Sequence, residues 1–126
     1  MSKNNYAPIC LFTYNRISET RKTIEALQNN FLAKQSDLYI YSDGGKNDED
    51  IQKILKLREY LHSISGFKSI NIFESLNNKG LANSVIAGVS NVLENHDKII
   101  VLEDDLVSSP NFLDFLNQSL EFYKND

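Results

Sequence analysis

The densest concentration of potential chemistry in this chain is Glu103-Asp104-Asp105, three consecutive acids directly after the apolar run IIVL. Like charges at neighbouring positions repel, so the cluster needs either a compensating cation or dilution in solvent. Carboxylates are hard oxygen ligands of the kind Mg²⁺ and Mn²⁺ prefer, and Mg²⁺ typically takes one or two of them beside phosphate oxygens. Strand alternation would turn Glu103 and Asp105 one way and Asp104 the other. One carboxylate could then hold a metal while another accepts hydrogen bonds from hydroxyls. A solvated acidic turn ahead of a helix is the competing explanation.

Three further stretches carry polar groups in suggestive places. In SDGG, Asp43 precedes two glycines, which allow a sharp turn and close approach of a ligand; its carboxylate could accept an N–H from a flat heterocycle, or simply form an Asp-Gly turn. In TYNR, Tyr14 offers a ring for stacking and Arg16 a guanidinium for phosphate. Lys79, just before Gly80 at an expected helix start, could meet an anion with help from the helix dipole. His62 and His96 have no Cys or His at ligand spacing, so they read as structural or surface residues rather than zinc ligands. No nucleophile elbow, Walker loop or GxGxxG pattern is present.

Four short apolar runs can position these groups: PICLFTY (8–14), LYIYS (38–42), INIF (70–73) and KIIVL (98–102). Each has strand length and is rich in β-branched or aromatic residues. The segments between them have helical periodicity. Ser18 is an expected N-cap, with Ile24, Leu27 and Phe31 on one face. The acids Asp48, Glu49 and Asp50 suit a helix N-terminus and precede Ile51, Ile54, Leu55 and Leu61. Leu81, Val85, Ile86, Val89 and Leu93 form the expected buried stripe of a third helix. Ser109-Pro110 starts a fourth, with Leu113, Leu116 and Leu120 inward. This β-α alternation predicts a Rossmann-like α/β domain, a parallel sheet with helices on both faces. Ligands of such sheets bind where strands run out into loops, and TYNR, SDGGKND, NNKG and EDDLVSS all fall at that edge.

Composition narrows the class. At 126 residues and 41% hydrophobic, the chain has the size of a single domain with a core. Its formal charge of −4 argues against nucleic acid as a partner. Cys10 is the only cysteine; no intrachain disulfide can form, and a small buried strand residue is its expected role. The N-terminus lacks a secretory h-region, and no apolar run approaches the roughly 18 residues that span a bilayer. A soluble cytoplasmic chain without a transmembrane segment is the expectation.

Together, PICLFTYNR, LYIYSDGGKNDE, NNKGLANSVIAG and IIVLEDDLVSSPNFLDF resemble the nucleotide-sugar-binding half of family 2 glycosyltransferases of the GT-A fold. EDDL followed by SPNFLDF is also similar to the corresponding segment of animal N-acetylglucosaminyltransferase I. The resemblance covers about residues 7 to 123 and rests on four motifs in order, each weak alone. It implies a nucleotide-sugar donor, a UDP-sugar, and a divalent metal, Mn or Mg. Thr13 and Tyr14 would wall the nucleobase pocket, Arg16 would reach the diphosphate, and Asp43 would accept the uracil N–H. Glu103, Asp104 and Asp105 occupy the DxD position, where Glu103 and Asp104 would face the ribose and Asp105 would coordinate the metal. Such a metal stabilises the charge that develops on a diphosphate leaving group. Ser42 stands where many relatives have the first aspartate of DDGS, Glu103 replaces the first aspartate of DxD, and Val85-Ile86 replace a common Arg-Asn. These departures bear on donor contacts.

Members of that family are considerably longer, and their second half supplies the acceptor site and, in inverting enzymes, the catalytic base. The expectation is therefore an N-terminal fragment of a longer glycosyltransferase, inactive alone, with an unknown acceptor and no catalytic residue assigned. A sheet edge left uncovered would favour self-association. Bacterial surface-polysaccharide synthesis would suit such an enzyme by family analogy. Two rivals are a sugar nucleotidyltransferase, which usually has a glycine-rich basic first loop that FTYNRISETRK lacks, and a non-catalytic nucleotide-binding module. A response-regulator receiver would have its acids after the first strand, not the fourth.

Overall fold

The structure is a computed structural model that describes residues 6–104. Asp105 and the expected fourth helix, with Ser109, Pro110, Leu113, Leu116 and Leu120, lie outside the described residues. Among the described residues there are four strands: β1 (Ile9–Thr13), β2 (Asp37–Ser42), β3 (Ser69–Glu74) and β4 (Ile100–Glu103). They pair in the order β3-β2-β1-β4, every pair parallel. Helices α1 (Ile17–Gln28), α2 (Asp48–Leu61) and α3 (Leu81–Leu93) make the crossovers. The expected Rossmann-like α/β architecture is the observed one, and each strand falls within two residues of its sequence-based limits.

Alternation along the strands divides the interior in two. Ile9, Leu11, Leu38, Ile40, Ile100 and Leu102 pack with Ile24 and Leu27 of α1 and Leu57 and Leu61 of α2. Burying each such side chain stabilises the fold by roughly 1.5–3 kcal/mol. On the opposite face, Cys10 and Phe12 of β1 and Tyr39 and Tyr41 of β2 meet Val85, Val89 and Val92 of α3. Helices thus cover both faces. Burial pushes the Cys10 thiol up to about 12, so it stays protonated and inert, a small core residue.

Helix phases differ from the expectation in several places. The first turn of α1 closes with the Thr20 N–H on the Arg16 carbonyl, at 3.0 Å; Arg16, not Ser18, is the N-cap, and it makes no side-chain capping bond. Phe31 is 59% exposed because α1 ends at Gln28 and Asn30 Oδ1 accepts the Leu32 N–H at 3.0 Å; the resulting turn carries Leu32 inward instead. In α2 the inward stripe is Ile54, Leu57 and Leu61, and Ile51 and Leu55 lie outside it.

The third helix departs most. Leu81, Ile86 and Leu93 are exposed, while Gly88 and Val92 are buried. The cause is the aromatic row across the sheet. Phe12, Tyr41 and Phe73 are register partners on β1, β2 and β3, and their rings stack at 5.4 and 4.8 Å. These rings are too bulky for a large residue on the crossing helix. A Cβ at Gly88 would stand 2.8 Å from the Phe12 ring and 3.1 Å from Tyr41. Gly88→Val is therefore expected to lower stability by about 1–3 kcal/mol through overpacking, measured by urea unfolding; an unchanged midpoint would contradict the close approach.

Candidate functional site

All four loops at the C-terminal edge of the sheet open on one cleft of about 220 Å³. The β1 end and following loop contribute Phe12 to Arg16, and the β2 end contributes Tyr41, Asp43 and Lys46. Asn78, Gly80, Leu81 and Ser84 come from the approach to α3 and its first turn, and Glu103 and Asp104 from the end of β4. The cleft thus gathers Thr13, Tyr14, Arg16, Asp43, Glu103 and Asp104, the residues expected to meet a nucleotide sugar that fall within the described range. Lys79 is not among its walls; it lines a neighbouring groove with Phe73 and Glu74.

Asp43 is the most heavily bonded member. It is 8% exposed, and its carboxylate accepts four N–H groups. Oδ1 takes the backbone N–H of Gly44 at 2.8 Å and of Lys79 at 2.9 Å; Oδ2 takes the Gly80 N–H at 3.0 Å and Asn78 Nδ2 at 3.3 Å. The side chain is a tie between the β2–α2 loop and the segment leading into α3, a function the motif SDGG does not advertise. Gly44 is needed at this junction because a Cβ there would stand 2.6 Å from the Asn77 backbone. Charge-assisted bonds of this kind are the stronger ones.

Beneath that junction lies Arg58, a residue sequence reasoning missed. Its Nε donates to Ser42 Oγ at 2.8 Å, and Nη2 lies 3.0–3.2 Å from the carbonyl oxygens of Ser42, Asp43 and Ser75. One planar guanidinium therefore joins the ends of β2 and β3. In the sequence, an arginine in the last turn of a helix reads simply as a complement to the helix dipole. Ser42, the departure from the DDGS pattern, is here a hydroxyl partner for this arginine.

The first loop is fixed at both ends. Tyr14 donates its hydroxyl to Asp50 Oδ2 at 2.7 Å and accepts the Lys46 N–H at 3.0 Å, and Asn15 Nδ2 donates to Asp50 Oδ1 at 2.8 Å. Burial and the Asp50 carboxylate raise the Tyr14 phenol above its ordinary pKa. Hydrogen bonds from Tyr14 and Asn15 hold Asp50 below the usual carboxylate range. At the far end, Arg16 Nη2 pairs with Asp104 Oδ1 at 3.2 Å. Thr23 Oγ1 donates to the Asp104 carbonyl at 3.0 Å, so α1 fixes the turn that follows β4. Glu103 is exposed and Asp104 buried, in keeping with alternation at a strand end.

Chemically, the cleft offers the aromatic rings of Phe12, Tyr14 and Tyr41, a guanidinium paired with the Asp104 carboxylate, and the carboxylate of Glu103. Carboxylates are hard oxygen donors of the kind a divalent cation takes, although no group of three metal-ligating side chains occurs among the described residues. No helix among the described residues is long and apolar enough to cross a membrane.

Residues 1–349 of TarS from S. aureus share this fold, with a TM-score of 0.58 at 11% identity, over 93% of this chain and 33% of that one. The chain thus spans about a third of the length of that relative. No curated protein matches the sequence. The model of glycosyl transferase family 2 matches residues 9–126, which takes in all four cleft-forming loops. With a Rossmann-like sheet of the GT-A type beneath those loops, the chain belongs to glycosyl transferase family 2.

Proposed function

We propose that the cleft binds a nucleoside-diphosphate sugar, a UDP-sugar, together with Mn²⁺ or Mg²⁺, for transfer of the sugar to an acceptor. The convergence of the TYNR, SDGG, NNKG and EDD segments on one cleft supports this reading most. The nucleobase would lie between the Tyr14 ring and the Asp43 junction, against Thr13. The ribose would sit by Glu103 and Asp104, and the diphosphate by Arg16. Asp105, next in the chain, would coordinate the metal, with the neighbouring carboxylates supplying further oxygen donors. Bound there, a divalent cation acts as a Lewis acid toward the departing diphosphate. The chain's own part is to hold the base, set the phosphates beside the acids, and keep Arg16 at hand for their charge.

Calorimetry with UDP, with and without Mn²⁺, tests the assignment. Binding is expected to depend on the metal, and Asp105→Ala to abolish that dependence. Equal affinity with and without Mn²⁺, unchanged in Asp105→Ala, would refute it.

A further inference from the structure

We propose that Asp50 is a positioning residue for the nucleobase end of the cleft, holding the Tyr14 ring and the Asn15 amide from across the gap between two loops. The inference rests on the nucleotide-binding function proposed above.

Asp50 is the third residue of α2, whose N-cap is Asn47; Asn47 Oδ1 accepts the Asp50 N–H at 2.9 Å. A side chain at this position can fold back onto the N-cap N–H, as Glu or Gln does in a capping box. Here both carboxylate oxygens turn the other way, Oδ2 to the Tyr14 hydroxyl and Oδ1 to Asn15 Nδ2. Helix capping therefore does not account for the orientation of the carboxylate. The Tyr14 hydroxyl also accepts the Lys46 N–H, so the far end of the ring is held from two sides by the β2–α2 loop and α2.

Asp50 is not itself a wall of the cleft, whereas Tyr14, Asn15 and Lys46 are. Any influence on a ligand must pass through them. A tyrosine held only at its Cα would sample several rotamers, and a ligand stacking on it would bear the cost of ordering the ring. Fixing the hydroxyl removes that cost before the ligand arrives.

Calorimetry of the 126-residue chain with uridine and with UDP tests this. Asp50→Ala and Tyr14→Phe are each expected to weaken uridine binding roughly three- to tenfold, the cost of immobilising a side chain. UDP binding should weaken by the same factor, with its dependence on Mn²⁺ unchanged. The double variant should bind no worse than Asp50→Ala, because both changes break one linkage. Asp50→Asn keeps an acceptor for the Tyr14 hydroxyl and should recover part of the loss. Uridine affinity unchanged in Asp50→Ala, or losses that add in the double variant, overturn the proposal. If Asp50→Ala melts early, Tyr14→Phe, which keeps the ring, decides alone: unchanged affinity overturns it. Failure of the unmodified chain to bind either ligand overturns the nucleotide assignment and this inference with it. Normal binding with indifferent variants overturns only the inference.

Discussion

Asp43→Ala is expected to destabilise the chain by about 2–4 kcal/mol and to weaken UDP binding as well. The estimate follows from four N–H donors losing their acceptor at once, with part of the loss recovered by water. Three of those donors, from Asn78, Lys79 and Gly80, belong to the segment that leads into α3. Without the carboxylate, that segment is free to leave the SDGG turn, and the cleft loses the wall formed by Asn78 and Gly80. Asp43→Asn should fall between, since it keeps the shape and one acceptor oxygen but loses the charge. Urea unfolding and calorimetry of the three proteins check both effects. An Asp43→Ala chain as stable as the unmodified one would show that the four bonds have no structural weight.

The second large effect is expected for Arg58→Ala. Removing the guanidinium takes the donor from the carbonyls of Ser42, Asp43 and Ser75 and from the Ser42 hydroxyl, at a cost of about 2–3 kcal/mol. Ser42 is 1% exposed, so water is poorly placed to replace the lost donor there. Arg58→Lys should restore little, because an ammonium on a flexible stem does not reproduce the planar fork that spans two strand ends. The midpoint of urea unfolding reports the result. Full stability in Arg58→Lys would mean that charge alone suffices and that the fork geometry is irrelevant.

These two residues also mark how far the sequence can be read. Asp43 was visible because an aspartate followed by two glycines at a strand end is a local signal. What it holds was not, because Lys79 and Gly80 are 36 and 37 positions away. Arg58 gave no signal, since its partners belong to the ends of two strands that only the fold places over the last turns of α2. Asp50 was legible as a helix-start acid, and that is true of its backbone position; the direction of its carboxylate is a tertiary fact.

The same division holds for the helices. Strand limits were legible because short apolar runs rich in β-branched and aromatic residues stand between polar turns, the pattern of strands covered on both faces. The inward face of α3 was not, because Leu81, Ile86 and Leu93 satisfy a helical period as well as the residues that are buried. The row formed by Phe12, Tyr41 and Phe73 decides against them. Large rings on the sheet demand a small residue on the helix above, and Gly88 meets that demand.

By itself, then, the amino-acid sequence determined the β-α alternation, the parallel sheet it implies, and the polar motifs that end each strand. Those properties depend on near neighbours in the chain, where periodicity and turn chemistry act. Only the tertiary structure decided that the strand ends enclose one cleft, that Asp43 and Arg58 bind its loops together, and that Asp50 fixes Tyr14. The hydrogen bonds that tie one loop to another join residues at least 15 positions apart. Hydrogen bonds at such separation arise from the geometry of the assembled sheet, which local sequence does not encode.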